Sequence, residues 1–149
     1  MIVIADSNII FSALISPKGN IASILKERSN MQFIAPTYLL DEVFEHWDKI
    51  VEYSVLSVRE LHKELYFYKA KIIFTELENI PKKHVVKAAQ IIKDIDADDL
   101  DFIALYLHKK HKLWTGDKKL INGLKAKGYD ICVTTAELKK LIYKRTGTK

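Results

Sequence analysis

Short β-branched apolar runs along the chain stop abruptly at polar residues or proline, and each is followed by a segment whose apolar positions recur three and four apart. The first run, Ile2-Val3-Ile4, is cut off at Asp6-Ser7-Asn8, and a helical pattern resumes from Ile9 to Ile15. That is the signature of a buried strand feeding a helix. Pro17-Lys18-Gly19-Asn20 breaks the helix, and a second is predicted from Ile21 to Arg28. Met31 to Ala35 reads as a short strand ended by Pro36. Thr37 is then placed to cap one long helix from Tyr38 to Tyr53. Its apolar stripe runs through Leu39, Leu40, Val43, Phe44, Trp47, Ile50 and Val51, which assigns Trp47 to the core.

Ser57 is positioned to cap a helix through Leu61, Leu65 and Tyr66, and Lys71 to Thr75 reads as a strand. Pro81 opens a helix through Val85, Val86, Ala89, Ile91 and Ile92. The segment Leu100 to Leu107 is apolar nearly all round, which predicts a buried helix, and its amino end carries Asp94, Asp96, Asp98 and Asp99. Leu113 to Thr115 is a strand, and Leu120, Ile121 and Leu124 mark a helix ended at Gly128. Asp130 to Val133 is a last strand, with Thr135 as the cap of a terminal helix. Strands alternating with helices predict an α/β fold: a parallel sheet with helices on both faces, in one domain over residues 1–149.

Composition changes this picture little. With 48% hydrophobic and 29% charged residues, 5 Gly and 3 Pro, the chain has the balance of a globular domain and no long linker. The single cysteine, Cys132, cannot form an internal disulfide and is expected as a small core residue. No window reaches the length of a membrane span and no secretory leader is recognisable, so a cytoplasmic location with no membrane partner is expected.

The acids change it more. Asp6 and Asp117 each stand just past an apolar strand and just before a helix, and the Asp96–Asp99 group can reach the same rim. In open α/β sheets that rim is where ligands bind. Capping explains any one of these residues, but explains three together less well. Two like charges about 4 Å apart repel by about 4 kcal/mol at an effective dielectric near 20, so several carboxylates cannot stay ionised together without a cation. All-oxygen ligands select Mg2+ or Mn2+, and such an ion orients a water and stabilises charge on a phosphoryl oxygen. No Cys/His metal set, Gly-rich phosphate loop or nucleophile elbow competes with this chemistry.

Charge is compatible with this chemistry without deciding it. The net charge is +5, and lysines crowd the later part of the chain: Lys109, Lys110, Lys112, Lys118, Lys119, Lys125, Lys127 and the tail Lys139, Lys140, Lys144, Arg145 and Lys149. Such a surface suits a phosphate backbone, although a solvated lysine face has the same composition. His46 falls four residues after Glu42, near the proposed site, but a surface or helix-end position is the expected account of His46, His84, His108 and His111 alike. Tyr66, Phe67 and Tyr68 beside Lys63 and Lys69 either stack bases or form one side of an amphipathic helix.

Asp6-Ser7-Asn8 after the first strand, Glu42 after Pro36, Asp99 eighteen positions before Asp117, and the turn Trp114-Thr115-Gly116-Asp117 together resemble the PIN-domain family over nearly the whole chain. Within it, the run Trp114 to Leu120 is similar to bacterial toxin components of VapBC-like toxin–antitoxin pairs. The resemblance implies a three-layer α/β/α sandwich around a parallel sheet of roughly five strands, and an Mg2+- or Mn2+-dependent endoribonuclease. It makes Asp6, Glu42, Asp99 and Asp117 the acidic quartet, with Asn8 and Thr115 steadying the carboxylates. Periodicity alone does not choose between Asp41 and Glu42. The third acid is open between Asp99, favoured by spacing, Asp96, reaching an ion through water, and Asp98, which suits a cap. Lys118 and Lys119 are expected to hold the flanking backbone of an RNA substrate, and an antitoxin and a second copy of the chain are the expected protein partners. The rival readings are a catalytically inactive PIN-like scaffold that binds nucleic acid, a DNA nuclease, and a receiver-like phospho-acceptor. The last wants a lysine after the final strand, where Thr134-Thr135 stand instead.

Overall fold

The β-branched and aromatic runs all become strands: β1 Ile2–Ala5, β2 Gln32–Pro36, β3 Ile72–Thr75, β4 Leu113–Trp114 and β5 Cys132–Val133. They form one parallel sheet in the order β3-β2-β1-β4-β5. This is a computed structural model of the protein, and it describes residues 1–27 and 31–145, with side chains as far as Tyr143. Arg28, the expected end of the second helix, and Lys149 lie outside the described residues, as do the side chains of Lys144 and Arg145.

Strand β1 is central. Ile2, Val3 and Ile4 align with Gln32, Phe33 and Ile34 of β2, and Ile4 and Ala5 align with Leu113 and Trp114 of β4. Val3, Ile4 and Ala5 are wholly shielded, as a central parallel strand covered on both faces must be. From β1 the chain moves outward to β2 and β3, then returns to the other side of β1 for β4 and β5. The strand order therefore reverses between β1 and β4, and the carboxyl ends of strands at such a point are where open α/β sheets form their ligand crevice.

Among the described residues nine helices connect the strands: α1 Ser7–Ile15, α2 Asn20–Lys26, α3 Tyr38–Glu45, α4 Trp47–Tyr53, α5 Val58–Lys71, α6 Lys82–Ile92, α7 Leu100–Lys109, α8 Lys118–Ala126 and α9 Thr135–Arg145. One group packs around α1 (α2, α3, α4 and α5). Another packs around α7, which lies on β1 and β2 and against α6. The result is the expected α/β/α sandwich. The apolar helix α7 buries Phe102, Ile103, Ala104, Leu105 and Leu107, so its hydrophobicity on nearly every side reflects cover by sheet and α6 together. Trp114 is fully buried beside Phe33, and its indole N–H donates to Thr135 Oγ1 at 3.1 Å, which removes the penalty of an unpaired donor. No helix among the described residues is long and apolar enough to cross a membrane.

Several local expectations are corrected. The long helix over Tyr38–Tyr53 is two, α3 and α4, bent at His46 (φ −102°, ψ 15°). Helix α1 has nine residues, roughly 14 Å, and a straight sixteen-residue helix would run past it; the bend keeps both halves packed on α1. Trp47 is consequently only half-buried, against Phe44 and His62, and Phe44 is exposed. Thr37 has helical backbone (φ −58°, ψ −24°) and makes no cap bond. The terminal helix is capped one residue earlier than expected: Thr134 Oγ1 accepts from the Glu137 amide at 3.2 Å, and Glu137 Oε1 accepts from the Thr134 amide at 2.9 Å. Thr135 is free to meet Trp114 for that reason. Cys132 is half-buried at the sheet edge, and burial pushes its thiol up to about 12. Of the three consecutive aromatics, Tyr68 is core while Tyr66 and Phe67 are exposed.

Helix α8 holds the acidic segment in place. Its end closes with the Gly128 (φ +89°) and Tyr129 amides donating to the Lys125 and Leu124 carbonyls. Lys127 Nζ donates to the Ile91 carbonyl at 2.6 Å and also reaches the Asp94 carboxylate. Midway, Gly123 lies so close to Ile95 that a Cβ would meet three of its side-chain carbons at 3.0 Å. Gly123→Ala should therefore lower stability by about 1 kcal/mol, because an overpacking cost of roughly 1–3 kcal/mol outweighs the helix-propensity gain of about 1. Urea unfolding of Gly123→Ala, alone and with Ile95→Val, measures it; a gain in stability in the single variant would contradict the close approach.

Candidate active site

At the carboxyl end of β1 the chain turns straight into α1, and Asp6 occupies the turn as its N-cap. Its carboxylate is 4% exposed. One oxygen, Oδ1, accepts from the Ser7 amide at 2.8 Å, and the other, Oδ2, accepts from the Thr115 hydroxyl at 2.6 Å. Thr115 follows β4, the neighbouring strand, so the bond crosses the crevice where the strand order reverses. The direction of that bond is determined. Thr115 Oγ1 already accepts from Asn8 Nδ2 at 3.2 Å and from the Asp117 amide at 3.1 Å, which uses its two lone pairs and leaves its single proton for Asp6.

Glu42 arrives from the other side on α3, half-buried, and its Oε1 accepts from the Ser7 hydroxyl at 2.6 Å. Ser7 thus joins Asp6, through its amide, to Glu42, through its hydroxyl. The choice that periodicity leaves open is resolved in placement: Glu42 faces the buried acids, while Asp41 is exposed and bears on Asp101. The sequence reading passes over Ser7. The available signal is the polar pair Ser7-Asn8 opening a helix whose next positions, Ile9, Ile10 and Phe11, are apolar.

Asp99 sits at the start of α7, 8% exposed, and makes no cap bond. Its Oδ2 is buried with no hydrogen-bond partner. Asp96, rather than Asp98, makes the local cap, accepting from the Asp98 amide at 3.0 Å; Asp98 itself is exposed. Asp117 caps α8 through Oδ1, which accepts from the Leu120 amide at 3.2 Å, and Lys118 and Lys119 are exposed on the turn immediately after it. Asp6, Glu42, Asp99 and Asp117 thus come from four separate elements to one region, with Asp96 bearing on Glu42 and Asp99. His46 is exposed at the α3–α4 bend, edge-on to Phe11 at 5.4 Å, and belongs to the helix packing.

Burial and mutual repulsion push these carboxyls upward. Burial pushes Asp99 up to about 8, helped by the charges of Asp6, Asp96, Glu42 and Asp117. Glu42 is raised to about 7, by burial first and then by Asp6, Asp98 and Asp96, against the opposing Ser7 hydrogen bond. Asp6 is raised by burial, and the Thr115 and Ser7 donors pull the other way. A cation reverses every one of these repulsions. The residues fit a hard divalent ion on two counts: the donors are all carboxylate, and the buried Asp99 Oδ2 is a lone pair without a proton donor. Among the described residues no group of three or more His, Cys, Asp or Glu side chains stands arranged as a metal site.

The family model for the PIN domain (PIN_2) matches residues 4–141. No curated protein matches the chain in sequence. Among solved structures the chain is similar to one in the crystal structure of VapBC2 from Rickettsia felis bound to a DNA fragment from their promoter. The TM-score is 0.64 at 14% sequence identity, over 90% of this chain and 97% of that one.

Two outcomes follow from this geometry. In metal-free protein, Glu42 and Asp99 hold protons that the unfolded chain, at its ordinary values of 4.5 and 3.8, has released. Their stabilising effect is complete below those values and is lost as the pH rises through about 7 and then about 8. Thermal unfolding in chelator should show Tm falling from pH 5 to 8.5, and saturating Mg2+ should flatten the fall; a rising Tm in chelator would mean the acids are not held as described. Thr115→Val leaves Asp6 Oδ2 without its donor and should weaken Mn2+ binding by roughly 10- to 100-fold, with Thr115→Ser close to wild type, by calorimetric titration.

Proposed function

The chain belongs to the PIN-domain family, and from that premise we propose that it is a metal-dependent endoribonuclease that hydrolyses RNA phosphodiester bonds, built as one PIN-like domain over residues 1–149. The observation that carries this reading is the convergence of acids from four elements on the switch-point crevice, with a buried oxygen of Asp99 left unpartnered. Asp6, Asp99 and Asp117 would hold Mg2+ or Mn2+, with Asp96 acting through water. A divalent ion held there supplies Lewis-acid stabilisation of charge on the phosphoryl oxygens and lowers the pKa of water.

The chain's own groups do the rest. Thr115 and Asn8 orient Asp6, and they do so before substrate arrives, since their hydrogen bonds are complete. Ser7 holds Glu42, whose carboxyl lies near 7 in the absence of metal and so exchanges its proton readily at neutral pH. Lys118 and Lys119 directly follow Asp117 and hold the flanking phosphates.

The toxin role has support at the level of fold. The similar chain comes from a VapBC2 complex, and the matched length is nearly the whole of both chains. On that analogy this protein is the toxin of a toxin–antitoxin pair, cytoplasmic, with an antitoxin and a second copy as its protein partners.

Cleavage of a labelled structured RNA and a matching single-stranded DNA, with Mn2+, Mg2+ or chelator, tests the reading. RNA cutting that needs metal, reduced about 100-fold or more in Asp6→Asn and Asp99→Asn, is the expected result. Loss in Asp6→Asn alone would move the third acid to Asp96. RNA binding indifferent to metal and to Asp6→Asn, with no cutting, would establish the inactive scaffold instead.

A further inference from the structure

Positive charge gathers at the end of α7 remote from the acids. Helix α7 begins beside Asp99 and ends at Lys109, ten residues and about 15 Å away. There it meets the beginning of α6. His84 of α6 lies against His108 of α7, ring centroids 5.7 Å apart. The charged groups that bear on His84 are Lys83, His108, Lys110 and Lys87, every one of them basic. Burial and then these cations hold its imidazole below the ordinary range. None of the four lysines Lys83, Lys87, Lys109 and Lys110 makes an ion pair among the described residues. Lys82 lines a separate surface cavity together with Glu76 and Glu78.

Two of these placements work against the fold. The first turn of α6 contains Lys82, Lys83 and His84 and no acid, although a helix amino end favours negative charge by about 0.3–1 kcal/mol per group. Lys110 has φ +63°, a left-handed conformation that costs an ordinary residue about 1–2 kcal/mol and glycine almost nothing. Lys110 Nζ lies 5.6 Å from the centroid of the Tyr106 ring, and with no acid opposite, cations held at a local cost suit an anionic partner. An extended polyanion fits better than a single ion, because the charges spread over two helices.

We propose that Lys83, Lys87 and Lys110, with His84 and His108, form a second nucleic-acid contact that holds the RNA backbone about one α7 length from the acidic crevice. This rests on the RNA reading of the site and assigns it an extended single strand, anchored by phosphates away from the cut.

Fluorescence anisotropy with a labelled single-stranded RNA in chelator tests it, so that a failure of metal-dependent cleavage leaves the result readable. Three proteins are compared with wild type: Lys83→Glu with Lys87→Glu, Lys110→Gly, and, as a control of equal net charge, Lys18→Glu with Lys49→Glu. The expected result is a loss of at least tenfold for the α6 pair, and a salt slope shallower by about 1.4, two phosphate contacts at about 0.7 each. Lys110→Gly weakens binding as well, and neither variant unfolds at a lower temperature than wild type, since each relieves a local cost. Equal losses in the Lys18 and Lys49 control would reduce the effect to net charge and overturn the proposal. Unchanged RNA affinity in the α6 pair would overturn it too, and loss only of polyglutamate binding would assign the patch to an acidic protein.

Discussion

The structure depends on keeping one buried carboxylate satisfied. Asp6 is 4% exposed at the end of the central strand, where an unpartnered charge would cost several kcal/mol. Its donors come from α1 and from the residue after β4, so the crevice exists only while β4 lies beside β1 in the observed register. Thr115 can serve because its other bonds, from Asn8 and the Asp117 amide, leave its proton nowhere else to go. Strand order, the Thr-Gly-Asp turn and the first turn of α1 are in this sense one device.

Helix α7 carries that order outward. Its interior is apolar enough to lie between the sheet and α6, and its two ends carry opposite charge, acids at the amino end and bases at the carboxyl end. The helix dipole favours that polarity, so α7 alone explains part of it. It does not explain the cations that α6 adds at its own amino end, where the same dipole opposes them. The acid end has its own constraint: α8 clamps the 94–99 segment at Ile95 and Asp94 while offering Asp117 from its first turn, so the spacing of these acids is mechanical as well as chemical.

Much of this was legible in the sequence because parallel strands advertise themselves. Ile2-Val3-Ile4 and the strand-ending acids specify a central strand and its crevice with no knowledge of neighbours. What was not legible depended on partners distant in the chain. The bend at His46 is set by the length of α1, thirty residues earlier. The half-exposure of Trp47 follows from that bend, and the cap at Thr134 accompanies a Thr135 hydroxyl that accepts from the distant Trp114. Asp41 and Glu42 straddle the apolar stripe equally, and only the Ser7 hydroxyl distinguishes them. The ring contact of His84 with His108 spans two helices and has no periodic trace in either.

Capping a helix and holding a metal ion are compatible roles for these acids. A cap consumes one carboxylate oxygen and aims the other. Asp117 gives Oδ1 to Leu120, Asp96 gives Oδ1 to Asp98, and each keeps an oxygen with no protein donor among the described residues. Asp99, at the start of α7, gives up nothing to a cap and is the one left with a buried, unsatisfied atom. Helix amino ends are thus an economical way to assemble carboxylates. The backbone amides orient Asp6, Asp96 and Asp117 and partly offset their charge, so these acids can be held near Glu42 and Asp99 in a folded chain, where a cation would complete the balance.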